Sequence, residues 1–202
     1  MKRLVPLAVI VILAGAGVWL ALFWRPPVGS GHATLEAPAQ PRGGDFTLNS
    51  LHGPVSLADD RGKVVLLYFG YTMCPDICPT TLATIKAAYQ ELTPAERDQV
   101  AGIFVSVDPQ HDTLKRLAEY AGYFDPHIKG VTGTPAQVAA VAKKYGAVYR
   151  VVKEPSSALG YTIDHSAFIY AIDRHGKLRA NLPHGTTPGQ IAAELRKLLA
   201  EN

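Results

Sequence analysis

Only two cysteines occur in the 202 residues of the chain, and so few exclude the multi-disulfide frame with which small secreted domains make up for a thin core. Basic residues form no run: 20 Lys and Arg are scattered among 17 Asp and Glu for a formal net charge of +3, so the chain has no nucleic-acid-binding patch and no nucleic-acid partner is expected. No internal repeat is present, which excludes a solenoid. What the chain does have is apolar material. Hydrophobic residues make up 48% and charged residues 18%, the balance of a folded globular protein of one domain plus extras.

Both cysteines fall in one short stretch, Tyr71-Thr72-Met73-Cys74-Pro75-Asp76-Ile77-Cys78-Pro79-Thr80. Thiolate sulfur is a soft ligand that selects Cu(I), zinc or iron–sulfur clusters, and a close thiol pair is also the usual carrier of disulfide chemistry. Each cysteine precedes a proline, which biases it toward extended backbone. Pro79 suits the first position of a helix, so Cys78 is expected at its N-cap, where the helix dipole favours thiolate. The spacing permits a disulfide provided the Cα atoms come within about 7 Å. Metal binding, redox exchange and an inert pair all remain open on the spacing alone.

The amino terminus begins Met1-Lys2-Arg3 and continues as an uncharged, almost wholly apolar stretch over residues 4–24. Roughly 20 apolar residues span a bilayer. Basic residues ahead of the stretch, with Trp19, Trp24 and Arg25 near its far end, point to a cytoplasmic amino terminus and a domain on the opposite side. Ala14-Gly15-Ala16 resembles a signal-peptidase site, so cleavage is the competing reading. Residues 25–44 carry Pro26, Pro27, Pro38 and Pro41 among Gly, Ser and Ala and read as a tether. The expected organisation is an anchor over 1–24, a tether over 25–44 and a folded domain over 45–202.

Within that domain, residues 46–48 and 54–57 flank a turn and predict an edge hairpin. Residues 64–70, Val-Val-Leu-Leu-Tyr-Phe-Gly, form a continuous apolar run that suits a strand buried on both faces. A helix is expected from about 80 to 92. Thr93-Pro94-Ala95-Glu96 is a capping box that opens a short helix. Residues 100–107 read as a second buried strand and 113–124 as a helix. Thr134-Pro135 opens another helix, 147–153 and 167–173 are strand-like, 178–181 returns after a turn, and Thr187-Pro188 caps a final amphipathic helix. Strands alternating with helices and ending in a hairpin plus helix predict an α/β fold with a mixed sheet.

Two thiolates leave room for a third ligand among seven histidines. His32, His52 and His175 lie in tether or turns, and His127 and His184 sit beside prolines in loops, where a solvated role is favoured. His111 follows the second buried strand and could face the cysteine side. His165 differs, because Asp164-His165-Ser166 immediately precedes an apolar strand after a polar loop; its bland reading is a capping histidine.

At this point the residues resemble a known family. Phe69-Gly70-Tyr71-Thr72-Met73-Cys74-Pro75-Asp76-Ile77-Cys78-Pro79 is similar to the signature of the Sco/SenC family of thioredoxin-like copper chaperones. The segments Val105-Ser106-Val107-Asp108-Pro109-Gln110-His111-Asp112-Thr113 and Asp164-His165-Ser166-Ala167-Phe168-Ile169-Tyr170 match it too. The resemblance runs from about residue 46 to the end. It implies a thioredoxin-like fold, with Asp164-His165-Ser166 where thioredoxins place a cis-proline facing the cysteine loop. It implies metal ligation by Cys74, Cys78 and His165, a set that suits Cu(I) and holds Cu(II) with less preference. The implied function is assembly of the dinuclear copper centre of cytochrome c oxidase from the bacterial cytoplasmic membrane, with the domain periplasmic. Partners would be the copper-centre subunit of the oxidase and another periplasmic copper chaperone. Two alternatives accompany it: a thiol-disulfide oxidoreductase in which Cys74 and Cys78 are the catalytic redox pair, and a copper or redox signalling protein. Asp76 and Asp108 are candidates for orienting ligands, with ordinary turn or cap roles as the alternative.

Overall fold

A computed structural model describes residues 42–201 together with Trp19. The chain divides into two compact units, Met1–Thr34 and Leu35–Asn202; of the first, Trp19 is described, helical and exposed. Apart from Trp19, the expected anchor and most of the expected tether lie outside the described residues, and among those described no helix is long and apolar enough to cross a membrane. The last tether residues are already bonded to the domain: Gly43 donates its N–H to the Lys144 carbonyl and Tyr145 donates its hydroxyl to the Gly44 carbonyl.

The second unit opens with the anticipated hairpin, β1 (Thr47–Ser50) against β2 (Gly53–Ser56). After a 3-10 turn comes β3 (Val64–Gly70), every residue of which is buried, matching the apolar run residue for residue. There follow α1 (Ile77–Gln90), α2 (Pro94–Arg97), β4 (Val100–Ser106), α3 (Leu114–Phe124), β5 (Ile128–Val131) and α4 (Pro135–Tyr145). Then β6 (Tyr149–Lys153), β7 (Tyr161–His165), β8 (Ile169–Ile172), β9 (Leu178–Leu182) and α5 (Pro188–Ala200) complete it. Threonine N-caps accept backbone N–H bonds at α2, α4 and α5, and the Glu or Gln three residues on bonds back to each cap. Each such cap is worth about 1 kcal/mol.

The central sheet has the order β5-β4-β3-β8-β9, with β3, β4 and β5 parallel and β8 and β9 antiparallel to their neighbours. This is the expected mixed α/β architecture. Alternation along β3 splits the core: Phe69 meets Tyr145 and Tyr170 on one face, while Tyr68 meets Phe104 on the other. The register Gly70↔Ser106 ends β3 and β4 flush, so the loops that leave them emerge side by side.

Three local readings are corrected. Strand β5 is absent from the sequence reading, as is β7, and the strand-like residues 149–153 pair with β7 in a separate two-stranded sheet instead of joining the central one. The helix after the cysteine loop starts at Ile77, earlier than expected, with Asp76 as N-cap and no side-chain cap bond. Cys78 therefore lies inside the first turn. Proline lacks an N–H that no residue of the first turn needs, so Pro79 fits the third helical position as well as the first, and the Thr80 N–H closes the turn on the Asp76 carbonyl at 3.2 Å.

Candidate metal centre

Glycine at the end of β3 determines how closely the cysteine loop approaches the sheet. A Cβ at position 70 would lie 2.7 Å from Cys78 Sγ and 2.9 Å from the Phe104 ring, so only glycine lets the sulfur rest against the strand. The start of the loop is held from the neighbouring strand end. Asp112, 2% exposed, accepts the Thr72 N–H at 3.0 Å, the Thr72 hydroxyl at 2.5 Å and the Ser106 hydroxyl at 2.6 Å. On the other side, the Tyr71 hydroxyl lies 3.0 Å from Thr162 Oγ1 and accepts the Ile163 N–H at 3.4 Å, tying the loop to β7.

His165 is the last residue of β7, paired with Tyr149. Its Nδ1 lies 3.2 Å from the Ser166 carbonyl. A carbonyl only accepts, so the network assigns the proton to Nδ1 and leaves the Nε2 lone pair toward Cys78 Sγ, 3.3 Å away. The Tyr68 and Tyr71 rings meet the imidazole edge-on at centroid distances of 6.1 and 6.2 Å. The structure thus brings together the two cysteines and the histidine: their ligand atoms all lie within 4.8 Å of one another, and among the described residues this is the one group of three His, Cys, Asp or Glu side chains placed to hold a metal ion. Three ligands at the usual 2.0–2.3 Å from a metal stand roughly 3.5–4 Å apart, so closure needs only a small contraction. Both cysteines are free thiols.

The two sulfurs are chemically unequal. Cys74 is half-buried, and its pKa falls to about 4, chiefly because the Cys78 thiol donates to its thiolate, with help from the Asp76 and Cys78 backbone N–H groups and against the pull of burial. The Cys78 N–H donates to Cys74 Sγ at 3.4 Å, a first-turn N–H without an intrahelical acceptor, of the kind that favours anions. Cys78 is pushed up by the same bond to Cys74 and by its own burial. The expectation of a depressed thiol at Cys78 is therefore overturned: Cys78 is raised and the depressed thiol is Cys74. Alkylation of the reduced protein between about pH 6 and 8 should proceed at Cys74 at a nearly constant rate, where a free thiol would accelerate about tenfold per unit. Peptide mapping with a rate that climbs as for free cysteine would contradict this.

The other named groups sit elsewhere. Asp76 is exposed at the N-cap position. Asp108, 5% exposed, accepts the Tyr161 hydroxyl at 2.6 Å and lies 3.2 Å from His111 Nδ1, so His111 closes a carboxylate–phenol network instead of joining the sulfurs. His127 lies beside Asp125 and Arg97, and His184 beside Thr81; both stay open to solvent, in keeping with the solvated reading. Sequence reasoning missed Asp112 as the holder of the loop and Gly70 as the seat of Cys78; neither carries a signal beyond being a turn acid and a strand-end glycine.

Comparison with known proteins adds a family. The model described as SCO1/SenC matches residues 35–200. A SCO2-like protein of Rickettsia felis is 33% identical over 192 residues, covering 93% of this chain and 93% of the relative. Among solved structures, Bradyrhizobium japonicum ScoI with copper bound is 38% identical, with a TM-score of 0.69 over 78% of this chain and 99% of that one. BsSco, described with a disulfide switch and as a member of the Sco family of cytochrome c oxidase assembly proteins, is 26% identical, with a TM-score of 0.62 over 82% of this chain and 97% of that one.

Proposed function

Because the chain belongs to the SCO1/SenC family, we propose that it is a membrane-tethered copper metallochaperone that delivers copper to, or prepares, the dinuclear copper centre of cytochrome c oxidase. The observation that carries the reading is the convergence of Cys74, Cys78 and His165 from a helix start and a separate hairpin. The copper of ScoI and the oxidase assembly role given for BsSco support it. The partner is the oxidase subunit that houses the copper centre, with another periplasmic chaperone as the source of metal. In this reading residues 1–24 form a single span with the amino terminus cytoplasmic, residues 25–44 give reach, and residues 45–202 work in the periplasm.

Each residue has a distinct task. Cys74 offers a sulfur that is already ionised, Cys78 gives up its proton as it becomes a ligand, and His165 presents Nε2 while its Nδ1–H is held by the Ser166 carbonyl. Binding by the reduced protein therefore releases protons. Two thiolates and one imidazole suit Cu(I) as cargo and tolerate Cu(II).

The unequal thiols favour a second reading alongside the first. Cys74 has the ionised, accessible sulfur that attacks a disulfide, breaking its S–S bond and forming a mixed disulfide. Cys78, buried behind it, then displaces the partner thiolate and closes the Cys74–Cys78 bond, so that the dithiol is oxidised and the partner's disulfide reduced. Such a reaction would ready the oxidase cysteines for metal.

The test is an anaerobic Cu(I) titration of the reduced, detergent-solubilised full chain. One copper per chain is expected, with tight binding lost in Cys74→Ala and in Cys78→Ala; equal copper content in all three proteins would refute the metallochaperone assignment.

A further inference from the structure

Tyr68 stands on β3 two residues before Gly70, so the two share a face of the strand. That is the face on which Cys78 Sγ sits against Gly70. The ring is 1% exposed and lies between Phe104, stacked at 6.2 Å, and His165, edge-on at 6.1 Å. Its hydroxyl makes no well-formed hydrogen bond, and the side chains close enough to act on it are those of Cys78 and Thr81. Buried hydroxyls are almost always paired, and one left unpaired costs free energy. A phenol O–H beside a sulfur can serve it as a donor. Tyr170 is the natural contrast. Its hydroxyl is also buried and unpaired, but it packs among Phe69, Tyr145 and Phe168, and burial alone acts on it.

We propose that the Tyr68 hydroxyl is a donor reserved for the Cys78 sulfur in its ionised, ligating form, and that this bond biases the site toward Cu(I) over Cu(II). The inference rests on the reading of Cys74, Cys78 and His165 as copper ligands. A thiol is a poor acceptor and a thiolate a strong one, so the hydroxyl is unpaired beside the neutral Cys78 and gains a charge-assisted bond when the sulfur ionises. Hydrogen bonding around a cysteine sulfur tunes the potential of copper–thiolate sites. A donor draws electron density off the sulfur, which lessens what the sulfur gives Cu(II) and offsets the larger negative charge that the ligands keep in the Cu(I) form. Tyr68 is thus a positioning and tuning residue, acting through Cys78.

The experiment compares the full chain with Tyr68→Phe and Tyr170→Phe, each titrated anaerobically with Cu(I) and with Cu(II) against competing chelators. In Tyr68→Phe the ratio of Cu(I) to Cu(II) affinity should fall roughly fivefold, part of the strength of one charge-assisted bond, and the thiolate-to-Cu(II) charge-transfer band should move to lower energy. The metal-free Tyr68→Phe protein should melt no lower than the unaltered chain, since an unpaired buried hydroxyl has been removed. A purely structural tyrosine would move the melting temperature and leave the ratio and the band alone. Tyr170→Phe should leave both where they are. An unchanged ratio and band in Tyr68→Phe, or an equal change in Tyr170→Phe, overturns this inference alone; absence of copper binding by the unaltered chain overturns it together with the proposed function.

Discussion

His165→Ala should lower Cu(I) affinity by more than about 100-fold while the chemistry of the two cysteines persists. Loss of a group that merely orients a ligand costs 10–100-fold in metal affinity, and loss of a ligand should exceed that. The imidazole is well suited to the part. Its Nδ1–H is held by the Ser166 carbonyl and its Nε2 lies 3.3 Å from Cys78 Sγ, so the lone pair needs little movement to meet the metal. The side chain is only half-buried, so alanine leaves no large core cavity and the fold should survive. Chelator competition measures the first effect. The second is read from the Cys74–Cys78 dithiol–disulfide equilibrium in a glutathione buffer, which should still run to completion. Full copper affinity in the variant would remove the imidazole from the ligand set, whereas oxidase assembly retained in cells despite lost affinity would favour thiol reduction as the main role.

Asp112→Ala should destabilise the unit markedly although it removes no apolar core side chain. Three donors converge on this carboxylate, the Thr72 N–H and the Thr72 and Ser106 hydroxyls. Its deletion leaves at least the Thr72 N–H without an acceptor in a buried place, and each such orphan costs about 1–3 kcal/mol. A total of about 3 kcal/mol corresponds to a fall in melting temperature of roughly 6–12 °C for a domain of this size. Asp112→Asn keeps one acceptor oxygen and should lie between. Because Asp112 holds the residue two places before Cys74, the loosened loop should also bind copper less tightly. Calorimetry on the metal-free protein isolates the first effect; a melting temperature within about 2 °C of the unaltered chain would show that the loop is held by something else.

Much of the fold was legible in the sequence for physical reasons that also explain what was not. Strand β3 is wholly buried, so its sequence is an unbroken apolar run with nothing to confuse its ends. The threonine–proline starts of α2, α4 and α5 state their caps in consecutive letters. By contrast β5 is four residues long and contains Lys129 and Gly130, and β7 contains Thr162 and Asp164; such short, interrupted strands acquire their structure from neighbours, not from their own pattern. The Cys74–Cys78 pair was evident, but His165 joins it from 87 residues beyond Cys78, a distance over which spacing says nothing. It was singled out by its place before an apolar strand and by the family resemblance. Tyr68 and Asp112 read as an ordinary core aromatic and a turn acid, because what distinguishes them is which neighbours they meet in space.

The ribbon of β6 and β7, set apart from the central sheet, gives the three residues unequal footings. Cys78 sits in the first turn of α1 against the end of β3, so withdrawing it would disturb a strand buried along its whole length. His165 rides on a ribbon whose ladder closes only on itself, moored to the cysteine loop through the Tyr71 hydroxyl, to the end of β4 through the Tyr161–Asp108 bond and to the core through Ile163. An outrigger of this kind shares no ladder hydrogen bond with the central sheet. Of the three side chains, the imidazole is thus the one whose displacement would leave every hydrogen bond of the central sheet in place.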